Sequence, residues 1–220
     1  MAHYTMIVGT RIWSSWSLRP YMALRAAGQP FEIVDIRLRQ TEPPTTREQI
    51  LRHSPAGKVP VLKIAGNEKT VTVWDSLAIC ETIAERHPEA GLWPADADAR
   101  ALARSYACEM HSGFPDLRAQ LPMEFARRMP LPELREDTQT QIARIITAWE
   151  DALASCDGPY LFGRFSVADC MYAPVVSRFQ TYDVEVPAAS RAYMGRILAL
   201  PAMQEWKAAA EKEREAGIGA

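Results

Sequence analysis

The sequence has little that favours a nucleic acid, a membrane or a metal as its partner. Its 25 lysines and arginines are outweighed by 27 aspartates and glutamates, for a formal net charge of -2. It therefore lacks the basic field that phosphate-backbone binding needs. Its first nine residues include no basic leader followed by a long apolar run, and no later stretch is apolar enough to span a bilayer. We expect a cytosolic protein that binds neither nucleic acid nor membranes.

Histidine and cysteine are too few and too scattered to form a known metal motif. The four histidines show no H-E-x-x-H or other paired spacing, so no metal cofactor is expected. The four cysteines are far apart in the sequence, and we expect buried, reduced thiols without a special role. They are Cys80, Cys108, Cys156 and Cys170.

The 220 residues have the composition of an ordinary globular protein, with 48% hydrophobic and 24% charged residues. Before residue 90, strand-like and helix-like stretches alternate in the order βαβ and then ββα. The predicted elements are strand 6–8, a helix ending near 27, strand 31–36, a short helix 47–52, strands 59–64 and 70–74, and helix 76–86. This half predicts an α/β domain over residues 1–87.

The second half predicts an all-helical domain. Residues 88–98 have the proline and glycine content of a linker. From residue 99 to 220 strand signals almost vanish, and apolar residues recur at helical intervals. Two such stripes are predicted core faces: Leu102, Tyr106, Met110 and Leu117, then Ile142, Ile145, Ile146, Trp149 and Leu153.

Local signals set some helix boundaries in this half. Gly113 and Pro115 should kink or break the first helix and open a groove, because proline removes a backbone donor and crowds the preceding turn. The S-x-x-D segment from Ser166 to Asp169 predicts an N-terminal capping box. Pro201 suits the first turn of a last helix.

Three serines, Ser14, Ser15 and Ser17, lie where the first strand passes into the first helix. The free amides at a helix start and the positive end of its dipole favour an anion or a thiolate, and hydroxyls can add hydrogen bonds. The alternative is that one of these serines, Ser17 above all, only caps the helix.

Two later segments also lie at the boundaries of predicted elements, where a ligand could bind. Val59-Pro60 opens a strand with a residue that cannot donate to a sheet, which places it at an edge or a strand start. Asp75-Ser76 lies where a strand becomes a helix, so that either an anion or a plain helix cap fits there.

In this order, the serine segment, Val59-Pro60, Asp75-Ser76 and the capping box resemble the cytosolic glutathione S-transferases of the serine type. The segment from Ser14 to Arg19 is most similar to that of zeta-like and related bacterial members. The likeness spans essentially the whole chain. It implies a thioredoxin-like N-terminal domain followed by a helical bundle, glutathione as co-substrate, and a homodimer.

The resemblance also implies roles for single residues. Ser14 matches the serine that activates the glutathione thiol, and Ser15 and Ser17 are neighbours able to share that role. The bond before Pro60 is cis in the resembled fold, where Val59 pairs with the cysteinyl part of glutathione. The resemblance also implies that Ser76 contacts the γ-glutamyl carboxylate of glutathione and that Asp75 contacts the γ-glutamyl ammonium group. Lys58 and His53 are predicted to contact the glycine carboxylate. The alternative for Lys58 and His53 is that they are solvated loop residues.

For the electrophile, the second domain must supply an apolar wall. The predicted substrate residues near the helix break are Tyr106, Met110, His111 and Phe114, with burial in the core as the alternative. We therefore expect a transferase that conjugates a small apolar electrophile in detoxification, with peroxide reduction or isomerisation as related reactions.

Two features narrow this expectation. Trp16 stands where zeta-type enzymes have a cysteine, which argues against maleylacetoacetate isomerisation. No cysteine occurs between Thr10 and Ser17, which argues against thiol-disulfide exchange. The alternative of another class is a non-catalytic binding or regulatory protein that retains this fold.

Overall fold

The computed structural model describes residues 3–219. Its N-terminal half is a four-stranded sheet with helices. The elements are β1 (His3–Gly9), α1 (Ser15–Ala26), β2 (Phe31–Ile36), α2 (Thr46–Leu51), β3 (Val61–Ala65), β4 (Thr70–Trp74) and α3 (Ser76–Arg86). The strand order is β2-β1-β3-β4. β1 pairs in parallel with β2, and the other two pairings are antiparallel. This arrangement confirms the predicted thioredoxin-like fold.

The sheet has an apolar layer on each face because side chains alternate along a strand. In β1, Met6 and Val8 join the main core, whereas Ile7 belongs to a smaller cluster with Ile36 and Val61. The parallel pairing of β1 with β2 requires a crossover, which α1 supplies. The sheet therefore fixes the places where its strands meet the helices, at residues 10–14 and at residue 75.

The C-terminal half is helical, as predicted. Its helices are α4 (Ala97–Ser112), α5 (Pro115–Gln120), α6 (Glu136–Ala154), α7 (Val167–Thr181), α8 (Ala188–Ala199) and α9 (Pro201–Glu215). α7 is buried along nearly its whole length and packs against both α1 and α4. One continuous core therefore runs through both halves.

The predicted break after α4 is confirmed at Gly113. The amide of Gly113 donates to the carbonyl of Glu109 at 2.8 Å, and a Cβ at this position would lie 2.7 Å from that oxygen. Phe114 then adopts a left-handed φ of 60°, and Pro115 begins α5. Glycine is required here because only it allows so close an approach to the backbone.

The predicted capping box at the start of α7 is also confirmed. The Asp169 carboxylate accepts from the amide and the hydroxyl of Ser166, at 2.8 and 3.0 Å, and from the amide of Leu161 at 3.2 Å. Burial raises the pKa of Asp169 to about 6, against the opposing effect of these hydrogen bonds. Pro201 begins α9, as predicted.

Two predictions about α4 are wrong. Leu102 was placed in the core stripe but is 54% exposed, and Cys108 is an exposed thiol instead of a buried one. The reason is that α4 presents Ala103, Ala107 and Met110 to the core, all with no exposed surface. Two small alanines allow close helix packing and leave the Leu102 side facing solvent. Cys156, also predicted to be buried, is half-buried; Cys80 and Cys170 are buried as predicted.

Candidate functional site

A cavity of about 520 Å³ lies between the sheet domain and α4. Six of the predicted site residues lie on its wall: Lys58, Val59, Pro60, Asp75, Ser76 and His111. Further wall residues, which the sequence did not single out as contacts, include Trp16, Leu38, Thr46, Ile50 and Trp74. A volume of several hundred cubic ångströms, lined mostly by apolar groups with a few polar ones, is typical of a small-molecule site.

Val59 and Pro60 form the side of the cavity that leads into β3. Their peptide bond is cis, as the resemblance implied. Val61 follows at the start of β3, where it pairs with Ile7 of β1 and with Trp74 of β4. The central strands of the sheet therefore fix the position of the Val59 backbone.

Asp75 is the N-cap of α3, and its backbone has an unusual conformation with φ at 75°. A non-glycine residue in this region is uncommon, and such residues cluster at functional sites. One carboxylate oxygen, Oδ1, accepts from the amides of Leu77 and Ala78 at 2.9 and 3.2 Å. Ser76 follows as the first residue of the helix, and its hydroxyl accepts from Arg19 Nη1 at 3.5 Å.

The other oxygen of Asp75 faces the second domain. Oδ2 lies 3.3 Å from His111 Nε2, so that α4 reaches the start of α3 at the cavity wall. The pKa of His111 is lowered, first by burial; Arg19 and Arg118 add to the decrease, and Asp75 opposes it.

Trp16 contacts two guanidinium groups. Its ring is 4.3 Å from the Arg19 carbon and 4.9 Å from that of Arg118, and it packs edge-on against His111. Arg19 has no exposed surface, and its Nε and Nη2 atoms have no hydrogen-bond partner within residues 3–219. Burial, followed by the charges of Arg118 and Arg178, lowers the pKa of Arg19.

The three serines are buried and do not line the cavity, although each is within two residues of the wall residue Trp16. Ser14 is the N-cap of α1 and is 4% exposed. Its hydroxyl donates to Ser17 Oγ at 2.7 Å, and Ser17 Oγ also accepts from the amide of Gly9 at 3.2 Å. Ser15 is the first residue of α1 and is also 4% exposed.

One assignment for Ser17 is therefore corrected: it lies inside α1, so the cap is Ser14. Ser17 also has no exposed surface. Its role here is to join Ser14 to the end of β1.

Of the four predicted substrate residues, Met110 and Phe114 are core residues and Tyr106 is half-buried against the core. Met110 has no exposed surface, and Phe114 is 6% exposed. Tyr106 packs edge-on against Phe162 with ring centroids 5.3 Å apart. Met110 lies on the side of α4 that is buried together with Ala103 and Ala107, and of the four predicted residues only His111 is on the cavity wall.

His53 lies near the cavity without lining it. It follows α2 and is half-buried, with an Nδ1 atom that has no hydrogen-bond partner in the described part of the chain. Burial lowers its pKa, and the nearby Lys63 and Arg52 charges lower it further.

Within residues 3–219, no three or more histidine, cysteine or acidic side chains are grouped so that they could bind a metal ion. No helix in the same range is both long enough and apolar enough to cross a membrane.

Comparison with known proteins identifies the family. Residues 13–86 match the description "Glutathione S-transferase, N-terminal domain", and residues 132–209 match "Glutathione S-transferase, C-terminal domain". The chain belongs to the glutathione S-transferase family.

Individual relatives agree with this assignment. The chain is 30% identical to the rat protein named maleylacetoacetate isomerase over 194 residues, which is 87% of each protein. It is 27% identical to a stringent starvation protein A homolog of Pasteurella multocida, covering 82% of this chain and 78% of that protein. A crystal structure of a glutathione transferase homolog from Burkholderia, with bound glutathione, shares the fold with a TM-score of 0.72 at 24% identity, over 95% of this chain and 98% of that one.

Proposed function

We propose that the cavity binds reduced glutathione and that Ser14 activates its thiol for attack on a small apolar electrophile. The observation that carries the proposal is the meeting of Val59, Asp75 and Ser76 on the wall of one cavity, to which the first turn of the helix that Ser14 caps contributes Trp16. Val59 and the pair Asp75-Ser76 bind the tripeptide, and Ser14 activates its thiol.

The peptide is bound through its backbone and its charged ends. The Val59 backbone pairs with the cysteinyl residue as a short added strand. The amide and the hydroxyl of Ser76, at the start of α3, donate hydrogen bonds to the γ-glutamyl carboxylate, and the Asp75 carboxylate accepts from the ammonium group. Lys58 meets the glycine carboxylate, with His53 behind it.

Thiol activation follows from the position of Ser14. A cysteine thiol with a pKa near 8.5 is mostly protonated at neutral pH, and the thiolate is the nucleophile. A drop of ~2 units needs ~3 kcal/mol, which a hydroxyl donor at a helix start can supply. The Ser14 proton, directed at Ser17 Oγ at 2.7 Å, turns towards the glutathione sulfur when the tripeptide binds. Ser15 is the neighbour able to take over this role.

The electrophile lies against Trp16 and His111, where proximity to the thiolate lowers the barrier. A broad aromatic surface favours an apolar or aromatic electrophile. Conjugation and glutathione-dependent peroxide reduction therefore fit this wall. Isomerisation is the activity in the name of the rat relative; here the bulk of Trp16 beside the thiol site disfavours it.

We also infer the organisation of the active protein. Residues 1–87 form the glutathione-binding domain, residues 88–98 the linker, and residues 99–220 the helical domain. A homodimer would cover apolar side chains such as Trp74 and Leu102, which are 46% and 54% exposed. The four cysteines are free thiols, which suits work in the reducing cytosol.

A second candidate is a non-catalytic protein that uses this fold for binding or regulation. One observation favours it: the internal hydrogen bond that occupies the Ser14 hydroxyl. Such a protein has no need of Ser14 for its function.

The test is turnover of an aryl halide and of an organic hydroperoxide with reduced glutathione. We expect activity in the unmodified protein and a loss of about a hundredfold in Ser14→Ala, the factor that two pKa units supply, with glutathione affinity largely retained. Ser105→Ala, on the exposed side of α4, is the matched control. Equal turnover in Ser14→Ala would contradict the role of Ser14 and transfer it to Ser15. The absence of turnover in the unmodified protein would favour the non-catalytic candidate.

A further inference from the structure

We propose that Glu213, near the end of the C-terminal helix α9, is a positioning residue for the loop that carries Ser14. We call residues 10–14 the serine loop. The proposal rests on the proposed function, because positioning matters for catalysis only if Ser14 meets the thiol.

The Glu213 carboxylate binds two successive backbone amides of the serine loop. Oε1 accepts from the amide of Arg11 at 2.9 Å, and Oε2 accepts from that of Ile12 at 3.1 Å. These residues are about 200 positions apart in sequence, and the Glu213 side chain is only 16% exposed. Charge-assisted bonds of this kind are shorter and stronger than neutral ones.

These two bonds complete the hydrogen bonding of the loop amides. The amide of Thr10 donates to Ile36 O, and those of Trp13 and Ser14 both donate to Thr10 O. Only the amides of Arg11 and Ile12 depend on a side chain from another part of the chain. Without Glu213 these two partly buried amides lose their acceptors, and an unpaired buried amide destabilises the folded loop.

The loop carbonyls are held by the same domain. Trp206 Nε1, also on α9, donates to Arg11 O at 3.0 Å, and the amide of Phe125 donates to Ile12 O at 3.0 Å. The backbone amides and carbonyls of Arg11 and Ile12 are therefore all bound by residues of the helical domain. Ser14 is only two residues beyond Ile12, so a shift in this segment moves the activating hydroxyl.

The charge of Glu213 and its effect on the position of Ser14 would shift the pKa of the bound thiol in opposite directions. A carboxylate near the site disfavours a second negative charge, so removing it by charge alone would lower the pKa of the bound thiol. Losing the position of Ser14 would instead raise that pKa, because the donor no longer meets the sulfur. The sign of the shift therefore distinguishes a positioning role from a purely electrostatic one.

The experiment uses the full chain with Glu213→Gln, which keeps the size but only one acceptor, and Glu213→Asp, which keeps the charge but is one methylene shorter. The control is Glu205→Gln, on the same helix, where the carboxylate accepts from the Tyr21 hydroxyl at 2.6 Å and binds α1 instead of the loop. The readouts are the pKa of bound glutathione from thiolate absorbance against pH, kcat, the glutathione Kd, and hydrogen exchange of the peptide that spans the serine loop.

We expect both Glu213 variants to raise the thiol pKa and lower kcat by about tenfold, the effect of one lost charge-assisted hydrogen bond, with Kd nearly unchanged. Exchange in the loop should increase, and Glu205→Gln should change none of these. A lowered or unchanged thiol pKa, a Glu213→Asp variant equal to the unmodified protein, or an equal loss in Glu205→Gln would overturn the proposal.

The two hypotheses fail in different ways. If the unmodified protein neither binds nor turns over glutathione, the proposed function fails, and with it the catalytic part of this inference. Loop exchange needs no glutathione, so unchanged exchange in both Glu213 variants would overturn the contact itself, whatever the enzyme does.

Discussion

His111 Nε2 lies 3.3 Å from Asp75 Oδ2, and this contact joins the helical domain to the start of α3 at the cavity wall. Asp75 uses its other oxygen to cap α3. A single carboxylate therefore has both a structural partner within its own domain and a titratable partner in the second domain. The proposed ammonium contact of glutathione would add a third.

Asp75→Asn should weaken glutathione binding about tenfold, because the ammonium group loses a charged acceptor worth at least 1.4 kcal/mol. Asparagine is as good an N-cap as aspartate and tolerates a positive φ, so α3 should remain intact. Titration calorimetry checks the affinity, and Asp98→Asn on the first turn of α4 is the control. Unchanged affinity in Asp75→Asn would show that the carboxylate only caps the helix.

His111 should make stability depend on pH. Its folded pKa lies below 6.5, mainly because of burial, so the unfolded chain binds more protons below about pH 6.5. This contribution to stability is fully present above pH 6.5 and is lost as pH falls towards the folded pKa. Urea unfolding at pH 5.5 and 7.5 should therefore show a smaller difference in His111→Gln than in the unmodified protein. An equal or larger difference would contradict this origin.

Trp16→Leu should lower the free energy of unfolding by about 1–3 kcal/mol. The ring contacts the guanidinium groups of both Arg19 and Arg118, and leucine leaves these two positive charges without their aromatic partner. The control is Trp74→Leu, at a wall residue that is 46% exposed, for which we expect a smaller loss. If urea unfolding gives the same loss in both variants, the arginine contacts contribute nothing beyond burial of the ring.

Asp169→Ala should lower the free energy of unfolding by about 2–4 kcal/mol, because it removes a cap and leaves buried donors of Ser166 and Leu161 unpaired. Asp96→Ala removes the exposed cap of α4, where the carboxylate accepts from Ala99 at 2.8 Å, and should cost about 1 kcal/mol. The measurement is urea denaturation of both variants, compared on the condition that the dependence of the unfolding free energy on urea concentration is the same in each. Equal costs would contradict the dependence on burial.

Local signals in the sequence were enough for much of the fold. The strand at 31–36, the helix from Ser76, the break at Gly113 and the cap at Ser166 depend on short-range rules of propensity and hydrogen bonding, and each was predicted. The side of α4 that faces inward depends on the helix packed against it, so the spacing that correctly places Met110 in the core wrongly places Leu102 there as well.

In the candidate site too, some features depend on local sequence and others on the packing of distant residues. The segments at residues 58–60 and 75–76 were identified because each has an unusual local residue, a strand-opening proline or a strand-to-helix aspartate. The contact of His111 with Asp75 and the binding of the serine loop by Glu213 join residues far apart in sequence. No periodicity encodes such pairs, and only the packing of the two domains brings them together.

The most direct test of the account is titration calorimetry of the full chain with reduced glutathione at neutral pH, repeated with cysteinylglycine, which lacks the γ-glutamyl group. We predict saturable binding of glutathione that weakens by at least about tenfold on truncation, because Asp75 and Ser76 lose their charged partners. Equal binding of the two ligands, or no binding of glutathione at millimolar concentration, would contradict the assignment of this cavity.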